Sequence, residues 1–84
     1  MNRKLVERTQ TGVRMEKSLL KVLKGLAEYC DLSLGDLLEG IVLHSFEGKA
    51  PFSKDTRDAI ENLKQVYGCN LTSADSHKLR EAGE

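Results

Sequence analysis

Tryptophan is absent from this chain, proline occurs once, and cysteine, phenylalanine and tyrosine occur twice each. So little aromatic mass leaves the core to Leu, Ile and Val. Cys30 and Cys69 form no C-x-x-C pair. That argues against a zinc site or a disulfide framework and suits a reducing cytoplasm. No apolar run approaches the roughly 18 residues of a membrane-spanning helix. The first residues, MNRKLVERTQTG, carry basic groups with no apolar run behind them, unlike a signal peptide. No G-x-G-x-x-G, P-loop or nucleophile motif occurs, and so short a chain does not easily enclose a pocket. His44 and His77 have no ligand spacing to each other or to the cysteines. These absences predict a protein that is not an enzyme and carries no metal or cofactor.

Net charge is also lacking, with 13 basic against 13 acidic residues. The balance hides a partition. Residues 1–24 hold Arg3, Lys4, Arg8, Arg14, Lys17, Lys21 and Lys24 against Glu7 and Glu16, a net +5. Residues 25–84 hold six basic and eleven acidic groups, a net −5. A basic end on a neutral chain points to an anionic partner at that end. Its plainer use is a solvated, solubilising arm.

What is present is 84 residues, 39% hydrophobic and 31% charged, the composition of a soluble globular domain. A monomer of this size buries only about 60% of the surface its unfolded chain exposes, and oligomerisation is one remedy. Residues 9–15 alternate. Thr9, Thr11, Val13 and Met15 share one face and Gln10, Gly12 and Arg14 the other, a period of two that predicts a short strand. No second strand pattern occurs in the chain. The partner must come from another copy, or the strand does not exist.

From Glu16 to Cys30 the period becomes helical, with Leu19, Val22, Leu23, Leu26 and Cys30 on a stripe widened by Leu20 and Ala27. Asp31 suits a left-handed helix end. Ser33 with Asp36 matches a capping box. The second helix carries Leu34, Leu37, Leu38, Ile41, Val42, Ser45 and Phe46, a broader apolar face than one facing helix needs. Gly48 and Pro51 end it. Gly40, between apolar neighbours, fits a close helix crossing. Ser53 opens a third helix through Ala59, Ile60, Leu63, Val66 and Tyr67, closed by Gly68. Thr72 and Asp75 repeat the capping spacing, predicting a short polar helix to about Glu81. Cys30 is expected on the first helix's apolar face, Cys69 on an exposed loop, and Tyr29 and Tyr67 at the core rim.

Strand, helix, tight turn and helix within Thr9–Phe46, TQTGVRMEKSLLKVLKGLAEYCDLSLGDLLEGIVLHSF, resemble the ribbon-helix-helix family of DNA-binding proteins of the Arc and MetJ repressor type. The matching features are alternating positions ending in Val-Arg-Met, Leu-Leu early and Leu-Ala-Glu late in the first helix, the Ser cap, and a closing Ser-Phe. The resemblance implies a mostly α fold. One N-terminal strand pairs across an intertwined homodimer, and a helical C-terminal extension follows. It divides the chain into a basic arm (1–8), a dimerisation and DNA-binding domain (9–48) and the extension (49–84). It implies double-stranded DNA as partner, entered through the major groove by a two-stranded ribbon.

Gln10, Gly12 and Arg14 then face base edges, although Gly12 has no side chain to read with. Arg8, Lys17, Ser33, Leu34 and Gly35 meet phosphates, the last three at a helix N-terminus. Val13, Met15, Leu19, Val22, Leu23, Leu26, Leu37, Leu38, Ile41, Val42 and Phe46 form the dimer core, and pairs of dimers can assemble on DNA. The implied role is a cytoplasmic transcriptional repressor. The alternatives are an antitoxin whose extension binds a protein partner, a plasmid-transfer accessory protein, or a dimeric interaction module that does not bind DNA.

Overall fold

A computed structural model describes residues 3–82. Its elements are α1 (Lys17–Tyr29), α2 (Leu34–Phe46), α3 (Lys54–Tyr67) and a single 3-10 turn (Ser73–Asp75). Among the described residues there is no strand. Thr9–Met15 lies outside any helix or sheet, and Val13 is 75% exposed. This overturns the ribbon-helix-helix architecture with an N-terminal strand. The physical reason is that alternation decides only which side chains share a face. A strand needs a neighbour for its N–H and C=O groups, and the described residues supply none. The mostly α composition stands.

Each helix begins on a side-chain oxygen and ends on a left-handed residue. Ser33 Oγ accepts from the Asp36 N–H at 3.1 Å, and Ser53 Oγ from the Thr56 N–H at 3.3 Å. The start of α1 was not foreseen. Glu16 lies outside the helix and caps it, accepting from the Leu19 N–H at 2.8 Å and the Ser18 N–H at 3.1 Å. The Ser18 hydroxyl also donates to it at 2.6 Å. These bonds hold the Glu16 carboxyl below the ordinary glutamate range, the Ser18 hydroxyl contributing most.

Asp31, Gly48 and Gly68 have φ of 58°, 71° and 66°. In each case the next N–H reaches back to a carbonyl five residues earlier: Leu32 to Ala27 at 2.9 Å, Lys49 to His44 and Cys69 to Lys64 at 2.8 Å. Three closures of this type satisfy carbonyls that a helix end otherwise leaves unpaired.

Packing is unequal. Val22, Leu26 and Ala27 of α1 and Leu37 of α2 are buried, and Leu23, Cys30, Ile41, Phe52, Ile60 and Leu63 pack around Leu26, Ala27 and Leu37. α1 and α3 make the close pair. A Cβ on Gly25 would lie 3.0 Å from Leu63 Cδ2 and 3.6 Å from Tyr67 Cε2. The close crossing expected at Gly40 is therefore at Gly25 instead. Gly40 has nothing within 4 Å of a Cβ. Tyr67 lies at this rim, whereas Tyr29 is 59% exposed.

Two more expectations fail. Cys69 is buried, because the turn after Gly68 folds it inward. The expected helix to about Glu81 is only the turn Ser73–Asp75. Thr72 and Asp75 do form a reciprocal capping box, with the Thr72 N–H donating to Asp75 Oδ2 at 2.9 Å. One large apolar residue, Leu79, gives a helix too little to bury, and His77 turns left-handed with φ 64°. The radius of gyration is 14.4 Å, against about 12 Å for a compact chain of this length.

Candidate nucleic-acid interface

The basic residues of the N-terminal third are all on the surface. Arg3, Lys4, Arg8 and Arg14 lie on the extended arm, and Lys17, Lys21 and Lys24 on α1, each exposed. Lys17 opens α1, where the partial positive charge of the helix N-terminus disfavours a cation. Glu16, capping the same turn, supplies the compensating negative charge.

The arm is not free of the body. Arg8 reaches α2 and makes a two-pronged ion pair with Glu39, Nε to Oε2 at 3.0 Å and Nη2 to Oε1 at 2.9 Å. Nη2 also approaches Asp36 Oδ1 at 3.5 Å. The hydrogen bond to Glu39 comes first in raising the guanidinium above its ordinary value, and the same bond lowers the Glu39 carboxyl. Below this clamp lies an open groove of about 500 Å³ lined by Val6, Glu7, Arg8, Leu38, Glu39, Val42 and Leu43. Asp36 does not return to complete the expected capping box. The first turn of α2, where Ser33, Leu34 and Gly35 were expected to meet phosphate, carries Asp36 beside Arg8.

The expected base readers are separated in their surroundings. Gln10 and Gly12 are exposed, and no atom lies within 4 Å of where a Gly12 Cβ would be. Arg14 is ion-paired through Nη2 with Glu81 Oε2 of the C-terminal segment. The two outline an open cleft of about 580 Å³ with Met15, Glu16, Lys17, Leu79, Arg80 and Ala82.

Of the expected core residues, Val22, Leu26 and Leu37 are buried, and Met15, Leu23, Leu38 and Ile41 are half-buried. Val13, Leu19, Val42 and Phe46 are exposed within the single chain, Phe46 to 83%. α2 is thus apolar around much of its circumference, yet only Leu37 is fully covered.

Sequence reasoning missed the pairing of Arg8 with Glu39, 31 residues apart, and of Arg14 with Glu81, 67 apart. The one signal for them was collective, since the +5 of the first 24 residues is balanced by the −5 of the remainder.

Among the described residues no three His, Cys, Asp or Glu side chains converge as a metal site, and no helix is long and apolar enough to cross a membrane. Comparison with protein-family models, with curated proteins and with solved structures finds no match at any of the three levels.

Proposed function

We propose that this cytoplasmic protein binds double-stranded DNA as a homodimer and represses transcription. The basic N-terminal third is the contact surface, and the exposed apolar face of α2 is the seam between copies. The supporting observation is that all seven cations from Arg3 to Lys24 are exposed within one stretch that holds two acids. One of those acids, Glu16, is engaged as a helix cap. Phosphate neutralisation by such a cluster supplies sequence-independent affinity. Gln10 and Arg14 are the residues able to read bases, Arg against guanine and Gln against adenine. Antitoxin and plasmid-transfer roles share this DNA-binding step and differ in the use made of residues 49–84.

The test is titration of a labelled duplex, of random and of selected sequence, at two salt concentrations. Binding should weaken with salt, and Lys17→Ala should reduce the log–log salt slope by about 0.9 for each phosphate that Lys17 neutralises in the wild type. Arg14→Ala should weaken selected sites more than random DNA. Absence of salt-dependent binding would reject the proposal. The second reading, a dimeric interaction module that does not bind DNA, would then take its place. That reading is favoured by the engagement of Arg8 and Arg14 with carboxylates. Both readings need the dimer, which sedimentation at micromolar concentration checks directly.

A further inference from the structure

Resting on the DNA-binding reading, we infer that the C-terminal segment is an autoinhibitory strap in which Glu81 occupies Arg14 in place of DNA. The strap's course is built rather than incidental. Lys64 Nζ of α3 donates to the Leu71 carbonyl at 2.7 Å. The Thr72–Asp75 capping box then fixes the single turn, and His77 at φ 64° turns the chain. Leu79 lies in the groove bordered by Leu19, Val22, Ile60 and Leu71. These four devices carry Glu81 to the arm ahead of α1. There its carboxylate meets Arg14, 67 residues earlier in the chain.

Glu81 engages only Nη2 of the guanidinium, so the competition is one of charge: the carboxylate neutralises Arg14 and disfavours a second electronegative partner at its remaining N–H donors. With Glu81 displaced, Arg14 is freed for a base edge beside Lys17, which meets a backbone phosphate. With Glu81 seated, its negative charge repels that phosphate. The pair is exposed, Arg14 to 83% and Glu81 to 52% of their side chains. An exposed pair is weak, and a weak pair gives a strap that DNA can displace. Removing the whole tail would also remove Arg80, so the informative change is a single one.

Full-length Glu81→Gln is titrated against a labelled 20-base-pair duplex of selected sequence beside wild type. Glu61→Gln on α3 serves as the control for net charge. Both substitutions are repeated in an Arg14→Gln background. Glu81→Gln should bind roughly two- to fivefold more tightly than Glu61→Gln, the range set by an exposed ion pair. That advantage should vanish without Arg14. Equal gains from both substitutions, or a Glu81→Gln advantage that survives in Arg14→Gln, would overturn the strap while leaving DNA binding intact. No binding by any variant would overturn the DNA-binding reading and the strap together.

Discussion

The α1–α3 pair and α2 have similar lengths and similar caps but opposite fates. α1 and α3 each carry one apolar stripe and one charged face, and each stripe finds the other. Their contact is tight enough at Gly25 that a methyl group there would meet Leu63. α2 has apolar residues on several sides and contributes one fully buried side chain, Leu37. Val42, Leu43 and Phe46 stay 43%, 62% and 83% exposed. The difference is one of arithmetic. A narrow stripe is satisfied by one neighbour, whereas a helix apolar over most of its circumference needs two. This chain offers α2 only one packed side, and the Arg8–Glu39 clamp ties the arm across an open groove whose Val42 and Leu43 stay exposed. The remaining apolar face is what the homodimer proposal uses.

Several substitutions would break or sharpen this contrast. The largest effect is expected at Leu26, the most buried side chain. Leu26→Ala should cost about 2–5 kcal/mol in urea unfolding through transfer and cavity terms. Phe46→Ala, by contrast, should leave the stability of the isolated chain within about 0.5 kcal/mol, as exposed positions do. It should weaken self-association in sedimentation. Comparable unfolding costs at the two positions would erase the distinction between the helices.

The glycines give the next contrast. Gly25→Val should destabilise by about 1–3 kcal/mol because it overpacks the α1–α3 crossing. Gly40→Ala meets nothing in the chain and should stabilise by up to about 1 kcal/mol through helix propensity. A loss at Gly40 that grows with protein concentration would mean that another copy packs there.

Removal of a cap comes third. Ser53→Ala and Ser33→Ala should each cost about 1 kcal/mol in thermal or urea unfolding. The cost at Ser33 should be accompanied by increased hydrogen exchange confined to the first turn of α2. Similar exchange throughout the protein would show that α2 is not the more weakly held element.

The smallest effect is the acid limb. Glu16 has a folded pKa below its unfolded value, so its contribution is complete above the ordinary value of 4.5 and is lost as pH falls through the lower folded pKa. Glu39 behaves in the same sense through Arg8. Melting temperature should therefore fall with acidification over that interval, and less steeply in Glu16→Gln. Identical acid limbs would reject the cap as the origin of the shift.

What was legible in the sequence was local. Ser33, Ser53 and Thr72 as caps, and Asp31, Gly48 and Gly68 as left-handed ends, depend on bonds spanning no more than five residues. They follow from residue type and spacing. The three apolar stripes follow from the same short periods. Glu16 escaped because a glutamate that continues a helix and one that caps it look alike until the hydrogen bonds form.

The alternation of Thr9–Met15 was equally visible and led to a strand that the chain does not form. A strand's hydrogen bonds run to a neighbour, and sequence alternation carries no information about whether one exists. Cys69 and Phe52 entered the core from loops, where no periodicity marks them. The pairing of Arg8 with Glu39 and Arg14 with Glu81 required distant segments to meet. Charge counting gave the sum of those attractions but no partner. Helix ends and faces were thus determined by the sequence within a few residues of each position. Which faces are covered, and which arginines remain free for an anion, was decided only by the tertiary structure, because both depend on contacts between segments far apart in the chain.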